Sequence, residues 1–236
     1  MAGALDSQWC SSQATWRQRR RFQEEARRLI RLPEPQEDPQ GVLLSEAAWR
    51  RLVPPGEEEE ILLAALSQDT GIYFFPSQEW VAQCCRFLRL LGIRRVLEAG
   101  AGRGYLAAAL APRLAQVGIA LMAVDSAQGE FESGLPRHPL VQLMAAQEAL
   151  RHFQPDLVLY AWPPPGQSMA PLSSSPGVRY VLVVGEQGGG CTGDPNDWQH
   201  LRQRRIASLS RLGVGRSGRR RQAVTLFLGA GQASGT

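Results

Sequence analysis

The sequence contains no lysine, because all 26 of its basic side chains are arginine. This absence excludes two kinds of chemistry. A Schiff-base mechanism needs a lysine amine, and the common phosphate-binding loop ends in Gly-Lys followed by Ser or Thr. The chain can use neither of them.

Cysteine and histidine are also scarce. The chain has four cysteines and three histidines: Cys10, Cys84, Cys85, Cys191, His138, His152 and His200. Their spacing matches no zinc site and no disulfide framework. We therefore expect reduced, mainly structural thiols and no metal.

Long apolar runs are missing as well. No run approaches the roughly 20 residues that span a bilayer, and residues 1–6 lack the apolar core of a signal peptide. We expect a cytoplasmic protein with no membrane partner.

The composition is that of a globular protein with a mildly basic charge. Of the 236 residues, 44% are hydrophobic, and the net charge is +4. Arginines cluster in residues 19–21, 202–205 and 216–221, and such clusters can bind phosphates. Because charge runs are usually solvated faces and residues 57–60 are acidic, nucleic acid is a possible partner that we do not favour.

The first third of the chain reads as a helical extension. Residues 13–32 have apolar side chains at helical spacing, residues 32–39 are rich in proline, and Ser45 can cap a short helix. Ser77 can cap a longer helix that runs to about residue 91. We predict an extension over residues 1–75 that roofs the site, followed by a domain over residues 76–236.

From residue 93 onward, apolar strands alternate with helices. We predict strands near residues 94–98, 119–125, 140–144, 156–161 and 178–185, and helices near residues 103–115, 127–132, 146–153 and 195–204. Continuous apolar strands are typical of a parallel sheet covered on both faces. Residues 205–212 and 222–228 resemble a terminal hairpin. The predicted fold class is α/β, a doubly wound, mostly parallel seven-stranded sheet with an antiparallel C-terminal hairpin.

The most informative stretch is residues 96–106, V-L-E-A-G-A-G-R-G-Y-L, where the first strand passes into a helix. Glycines at alternate positions let the backbone turn tightly and approach a ligand, and the helix N-terminus offers free N–H groups. Tyr105 occupies the sixth position of G-x-G-x-x-G, which departs from the dinucleotide fingerprint. Glu98, two residues before the first glycine, suits a cationic ligand group. A turn that serves only packing is the alternative.

This stretch resembles the first motif of class I methyltransferases that use S-adenosylmethionine. The resemblance implies that Glu98 lies near the amino group of the cofactor and that the glycines wrap its methionine part. The cofactor-binding residues that it implies are Glu98, Gly100, Ala101, Gly102, Gly104, Asp125, Ser126, Ala146, Gln147 and Tyr160.

Asp125 ends the second strand, 21 positions after Gly104. An acid at this place can accept both ribose hydroxyls, although it can instead cap the next helix. Where the family often has an Asp that contacts adenine, this chain has Ala146 and Gln147. Gln147 either bonds adenine or is solvated.

The substrate half of the resemblance is weaker. Family members that methylate amino groups have Asn, Asp or Ser before Pro-Pro-aromatic after strand four, whereas this chain has Ala161-Trp162 followed by three prolines. Standard nitrogen methylation of a base is therefore in doubt. We name Trp162, Pro163 and Glu186 as catalytic candidates. Trp162 can stack on a substrate or pack in the core, and Glu186 can act as a base or lie in a solvated, glycine-rich loop.

The sequence thus favours a methyltransferase that aligns an acceptor with the sulfonium for an SN2 transfer. The acceptor stays open between a small molecule, a protein and RNA. Four alternatives remain: an S-adenosylmethionine-binding partner or regulatory protein without catalysis, an RNA- or DNA-directed methyltransferase with arginine-rich surfaces, a nicotinamide-dependent oxidoreductase and a nucleic-acid binder.

Overall fold

The computed structural model describes residues 20, 22, 24–34, 37–53, 59–128, 133–186, 188, 190–212, 215 and 222–232. The strands are β1 (Arg95–Ala99), β2 (Ala120–Asp125), β3 (Val141–Leu143), β4 (Leu157–Ala161), β5 (Tyr180–Glu186), β6 (Gln203–Arg205) and β7 (Gln222–Leu228). The helices are α1 (including residues 24–29), α2 (Pro39–Val42), α3 (Glu46–Leu52), α4 (Glu59–Thr70), α5 (Gln78–Leu90), α6 (Tyr105–Gln116), α7 (Ala146–Phe153), α8 (Ala170–Ser173), α9 (Pro195–His200) and α10 (Ala207–Ser210).

The strands form one sheet in the order β3-β2-β1-β4-β5-β7-β6. Strands β1 to β5 pair in parallel, and β7 runs antiparallel to both of its neighbours, β5 and β6. The predicted fold class is confirmed. Since the strand order reverses between β1 and β4, the crevice outside the carboxyl ends of these two strands is the expected ligand site.

Helices cover both faces of the sheet, which explains the continuous apolar strands. In β4, Leu157 and Leu159 join the hydrophobic cluster on one face, while Val158 joins the cluster on the other. Residues of α1, α3, α4, α5, α6 and α10 bury side chains in the first cluster, and residues of α7, α8 and α9 do so in the second. The helices of the N-terminal extension therefore share a core with the sheet.

Two predicted helix starts are confirmed. The Ser45 hydroxyl accepts a hydrogen bond from the backbone N–H of Ala48, and the Ser77 hydroxyl accepts one from Trp80. The predicted inner face of α5 is buried at Trp80, Val81, Cys84 and Leu88. Burial raises the pKa of the Cys84 thiol, which agrees with a structural role.

The predicted strand over residues 205–212 is wrong. The strand β6 ends at Arg205, and the chain then turns into α10. Ser210 explains the turn, because its hydroxyl accepts the backbone N–H of Val224 in β7, a group that a longer β6 would otherwise pair. The connection between β6 and β7 therefore contains a helix and is not a tight hairpin.

The helix predicted over residues 127–132 is absent from the part of this segment that the structure describes. Residues 126–128 have no regular structure, and residues 129–132 lie outside the described part of the chain. The Asp125 carboxylate accepts the backbone N–H of Ala127, and this turn keeps the backbone out of a helix. The helix predicted over residues 195–204 ends at His200.

The amphipathic pattern predicted at the N-terminus is confirmed at three of its four described apolar positions. Phe22, Ala26 and Ile30 are buried, whereas Leu29 is 40% exposed. Residues 13–19, with which this predicted helix begins, lie outside the described part. None of the described helices is both long and apolar enough to cross a membrane.

Candidate functional site

The turn between β1 and α6, residues 100–104, is called the glycine loop below. All three of its glycines have positive φ, a conformation that side chains with a Cβ rarely adopt. At Gly100 a Cβ would also lie 2.8 Å from Cε2 of Tyr160, so the ring of Tyr160 rests against the backbone. At Gly102 a Cβ would meet no atom of the described residues within 4 Å, so the loop faces open space there.

Asp125 holds the glycine loop in place. One carboxylate oxygen accepts the backbone N–H of Gly102 at 2.8 Å, and the other accepts that of Ala127 at 2.8 Å. The backbone N–H of Ala101 donates to the carbonyl of Val124 at 3.0 Å. The end of β2 is therefore bonded directly to the loop that follows β1, and the predicted site residues Ala101, Gly102 and Asp125 lie together.

Glu98 is a buried carboxylic acid in the penultimate position of β1. It is 2% exposed, and its Oε2 atom has no hydrogen-bond partner among the described residues. Burial, and to a lesser degree the negative charge of Asp125, raises the pKa of Glu98 to about 8. A buried polar atom without a partner is costly, so this acid is suited to a cationic ligand that restores its charge.

Glu98 faces a small space, here named the loop cavity, of about 60 Å³. The cavity is lined by Gly71, Ile72, Tyr73, Phe74, Glu98, Gly100, Ala101, Arg103, Tyr105, Leu106 and Ala161. Carboxylate, guanidinium and phenol groups thus border one small volume. This combination complements a ligand that carries both an ammonium and a carboxylate.

Arg103 and Tyr105 are site residues that the sequence analysis missed. Arg103 donates to the carbonyls of Thr70 at 2.6 Å and Pro136 at 2.9 Å, which ties the glycine loop to the end of α4. Burial lowers the pKa of Arg103, but a guanidinium keeps its charge in proteins. The hydroxyl of Tyr105 is buried and has no partner among the described residues, and burial raises its pKa. Their place beside the three glycines was the available signal.

A second space, the Asp125 cavity, measures about 140 Å³. It is lined by Gly100, Val124, Asp125, Ser126, Met144, Ala145, Ala146, Gln147, Tyr160, Gln167 and Leu172. The predicted contacts Ser126, Ala146, Gln147 and Tyr160 are brought together here. Gln167 and Leu172 come from the segment after β4, which sequence spacing did not connect with this place.

A third space, the roof cavity, measures about 270 Å³ and lies between α4 and the end of β4. It is lined by Glu59, Glu60, Leu63, Ala64, Ser67, Gln68, Tyr73, Phe75, Trp162, Gly215 and Gln222. The Glu59 carboxylate accepts the backbone N–H of Gly215 at 2.8 Å, which connects α4 to the segment before β7.

The three cavities follow one another along the end of β4. Tyr160 lines the Asp125 cavity, Ala161 lines the loop cavity and Trp162 lines the roof cavity. Gly100 lines both the Asp125 cavity and the loop cavity, and Tyr73 lines both the loop cavity and the roof cavity. Burial, and less strongly the charge of Asp125, raises the pKa of Tyr160 to about 12, so its phenol stays protonated at neutral pH. The three cavities therefore lie side by side at this edge of the sheet.

The other two catalytic candidates both have hydrogen bonds to the loop after β5. The Glu186 carboxylate accepts the backbone N–H of Cys191 at 2.9 Å, and the Pro163 carbonyl accepts that of Gly193 at 2.9 Å. The first contact closes the loop after β5 on itself, and the second holds that loop against the segment after β4. The catalytic roles of Glu186 and Pro163 stay predictions, whereas Trp162 borders a cavity.

Comparison with protein-family models gives no match, and comparison with curated proteins gives none either. Among solved structures, the methyltransferase domain of bacterial CtHen1 is 10% identical over 64% of this chain and 98% of that chain, with a TM-score of 0.39. An O-methyltransferase from Bacillus cereus, in complex with SAH, is 12% identical over 78% of this chain and 96% of that chain, with a TM-score of 0.39.

A third similar structure is human N-acetylserotonin methyltransferase in complex with SAM. It is 10% identical, with a TM-score of 0.35, and the matched region covers 74% of this chain and 60% of that one. Because these TM-scores are below 0.5, no functional conclusion rests on the similarities.

Proposed function

We propose that this protein is a methyltransferase that uses S-adenosylmethionine. The observation that carries the proposal is the position of Glu98 beside a glycine loop at the switch point of a doubly wound sheet. This buried acid has an oxygen that no described residue contacts with a hydrogen bond. The cofactor has an ammonium group, a carboxylate, a ribose and an adenine, and the two cavities on either side of Gly100 offer groups that suit each of them.

The loop cavity would hold the amino-acid end of the cofactor. Glu98 accepts hydrogen bonds from the ammonium, and the charge pair offsets the cost of keeping a carboxylate buried. Arg103 and the Tyr105 hydroxyl are the donors available for the carboxylate. The positive φ values of the glycine loop allow the backbone to approach this end closely.

The Asp125 cavity would hold the adenosine end. Each oxygen of the Asp125 carboxylate accepts one backbone N–H, and a carboxylate oxygen can accept a second bond. The ribose hydroxyls can therefore bind without breaking the contact that fixes the loop. Met144 and Leu172 supply apolar walls for adenine, and Gln147 supplies an amide at its edge.

When bound, the cofactor supplies an activated methyl group on a sulfonium. The chain's own contribution is to align an acceptor and to keep water out. We propose that the extension over residues 1–75 is the roof that does this, since α4 lines the roof cavity and Thr70 is bonded to Arg103. Trp162 is the catalytic candidate that we retain for contact with the acceptor.

One observation favours a second candidate function, binding without catalysis. Ala161 and Trp162 stand where an amino-methylating enzyme has a polar acceptor group, and Glu186 is bonded to its own loop. A protein with these features can bind the cofactor as a partner or regulatory subunit and transfer no methyl group.

Calorimetric titration of the purified protein with S-adenosylmethionine tests the proposal. We expect micromolar binding, and formation of S-adenosylhomocysteine when a mixed pool of acceptors is added. Binding without this product from any pool supports the second candidate function. A folded protein that does not bind the cofactor contradicts both candidates.

A further inference from the structure

The roof cavity has three aromatic side chains in its wall, Tyr73, Phe75 and Trp162. Phe75 is 1% exposed, and the ring centroids of Phe75 and Trp49 are 5.7 Å apart, so this part of the wall is fixed by packing beneath it. Leu63 from α4 adds an apolar side chain. Aromatic faces and edges favour flat aromatic ligands through offset stacking and edge contacts.

Trp162 has an indole N–H donor that no described residue accepts. Its backbone N–H donates to the carbonyl of Val184 at 2.7 Å, and its φ of 53° lies in the region that favours glycine. The indole N–H is buried and has no hydrogen-bond partner among the described residues. Backbone strain and an unpaired donor at the same residue are features that cluster at ligand sites.

The indole N–H also restricts the kind of acceptor atom. A hydroxyl oxygen has two lone pairs, so it can accept the bond from Trp162 with one and attack a methyl group with the other. A neutral aromatic amine has a single lone pair, which the attack would consume. The donor therefore favours an oxygen nucleophile.

The position of the roof cavity matches the place of a second substrate. It shares Tyr73 with the loop cavity, and Trp162 directly follows Ala161, which lines the loop cavity. Its volume of about 270 Å³ suits a compound of one or two rings. Protein or RNA chains would have to present a single flipped group to fill it.

We infer that the roof cavity binds the methyl acceptor, a small planar aromatic hydroxyl compound whose oxygen accepts the indole N–H of Trp162. This inference rests on the proposed function. In the transfer, a carbon–oxygen bond forms while the carbon–sulfur bond of the sulfonium breaks. The sulfur keeps the electron pair, and the hydroxyl proton goes to water.

Calorimetry on protein saturated with S-adenosylhomocysteine tests the inference, with phenol, catechol and 2-naphthol as probes. Fully saturated decahydro-2-naphthol is the control, because it has a similar size and the same hydroxyl without the aromatic ring. We expect 2-naphthol to bind at least about fivefold more tightly than this control. Equal affinity for the two compounds, or no binding of any aromatic probe, would overturn the inference.

Two variants place the binding in the roof cavity. Ala64→Trp fills the cavity from α4 and should abolish 2-naphthol binding, while S-adenosylhomocysteine binds as in the wild type. Ser67→Phe obstructs the same cavity and is the alternative test variant if Ala64→Trp does not fold. Ala47→Trp, at an exposed position on α3, is the matched control and should bind both ligands normally. Unchanged 2-naphthol binding in either folded obstructing variant would contradict the inference.

Trp162→Phe tests the hydrogen bond separately from the ring contact. We expect it to weaken 2-naphthol binding about threefold to tenfold and to leave the binding of naphthalene, which has no oxygen to accept the indole N–H, within about twofold. An equal loss for both compounds would contradict the role of the N–H. Failure of the wild type to bind S-adenosylhomocysteine is a different result, since it contradicts the proposed function itself.

Discussion

Two glutamates lie near the carboxyl ends of parallel strands in this molecule, and their surroundings differ. Glu186 ends β5, and its carboxylate accepts the backbone N–H of Cys191 in the loop that follows. Glu98 lies near the end of β1, is 2% exposed, and has an oxygen without a hydrogen-bond partner in the described part of the chain. The first carboxylate is used by its own loop, whereas the second is the one that we propose for ligand binding.

The two loops explain the difference. After β5 the chain folds back onto its glutamate, and at Gly190 a Cβ would lie within 2.3 Å of the Glu186 carboxylate. After β1 the glycine loop is held by Asp125 instead, so its backbone N–H groups do not go to Glu98. An acid at a strand end is thus a ligand-binding candidate only when the local backbone leaves its hydrogen-bonding capacity unused.

The largest expected effect comes from closing the glycine loop itself. In Gly102→Arg, a long side chain would enter the open space that the loop faces, and we expect S-adenosylmethionine affinity to fall more than about 100-fold. Calorimetry measures the loss. Gly92→Arg is the matched control. Gly92 also has positive φ, and a Cβ at this position would also meet no atom of the described residues within 4 Å. If both variants lose affinity equally, backbone strain and not the site is responsible.

The glycine loop and its neighbours are the part of the site that the sequence predicted best. The spacing of Glu98, the three glycines and Asp125 identified residues that the structure brings together, because motif and strand order fix their place. The parallel strands were also predicted to within one or two residues at their ends. Apolar runs and glycine turns are local signals, so the chain itself displays them.

The parts that sequence did not predict depend on contacts between distant segments. The pairing of Thr70 with Arg103 spans 33 positions, and the bond from Gly215 to Glu59 spans 156. No local sequence pattern predicts either of these hydrogen bonds. The strand predicted over residues 205–212 was misplaced for a similar reason, because the Ser210 hydroxyl accepts the backbone N–H of Val224 and ends the pairing between β6 and β7. Only the folded chain shows which partner each group finds.

The next largest effect should come from Glu98→Gln. The amide keeps the shape but loses the charge that pairs with the ligand ammonium, and a charge-assisted hydrogen bond contributes about 1.5–3 kcal/mol. We therefore expect S-adenosylmethionine affinity to fall about 30-fold at pH 8 with little change in fold. Calorimetry and thermal unfolding measure the two quantities. A change of less than threefold would show that Glu98 does not contact the cation.

A smaller effect, but one specific to the buried acid, should appear in the pH dependence of binding. Since the pKa of Glu98 in the free protein is about 8, a ligand ammonium must displace a proton below that pH. Affinity should rise with pH between about 6 and 8, by at most tenfold per unit, with proton release detectable from titrations in buffers of different ionisation enthalpy. Glu98→Gln should release no proton.

The same raised pKa makes a prediction for stability. The pKa in the folded state, about 8, lies above the usual value of 4.5, so the native protein binds more protons than the unfolded chain between these values. The free energy of unfolding should therefore fall as pH rises from about 5 to 8, by at most about 1.4 kcal/mol per unit, and then level off. Urea unfolding at several pH values measures this slope, which should be reduced in Glu98→Gln.

The smallest effect should come from the same substitution at the other strand end, Glu186→Gln. Its amide oxygen can still accept the N–H of Cys191, so we expect the free energy of unfolding to fall by at most about 1 kcal/mol. Cofactor affinity should stay within about twofold of the wild type, because the carboxylate already has a backbone partner in its own loop. Calorimetry and urea unfolding, run beside Glu98→Gln, give the direct comparison. A large loss of affinity at Glu186 would mean that the loop after β5 opens to admit the ligand, and the distinction between the two glutamates would then depend on whether a ligand is bound.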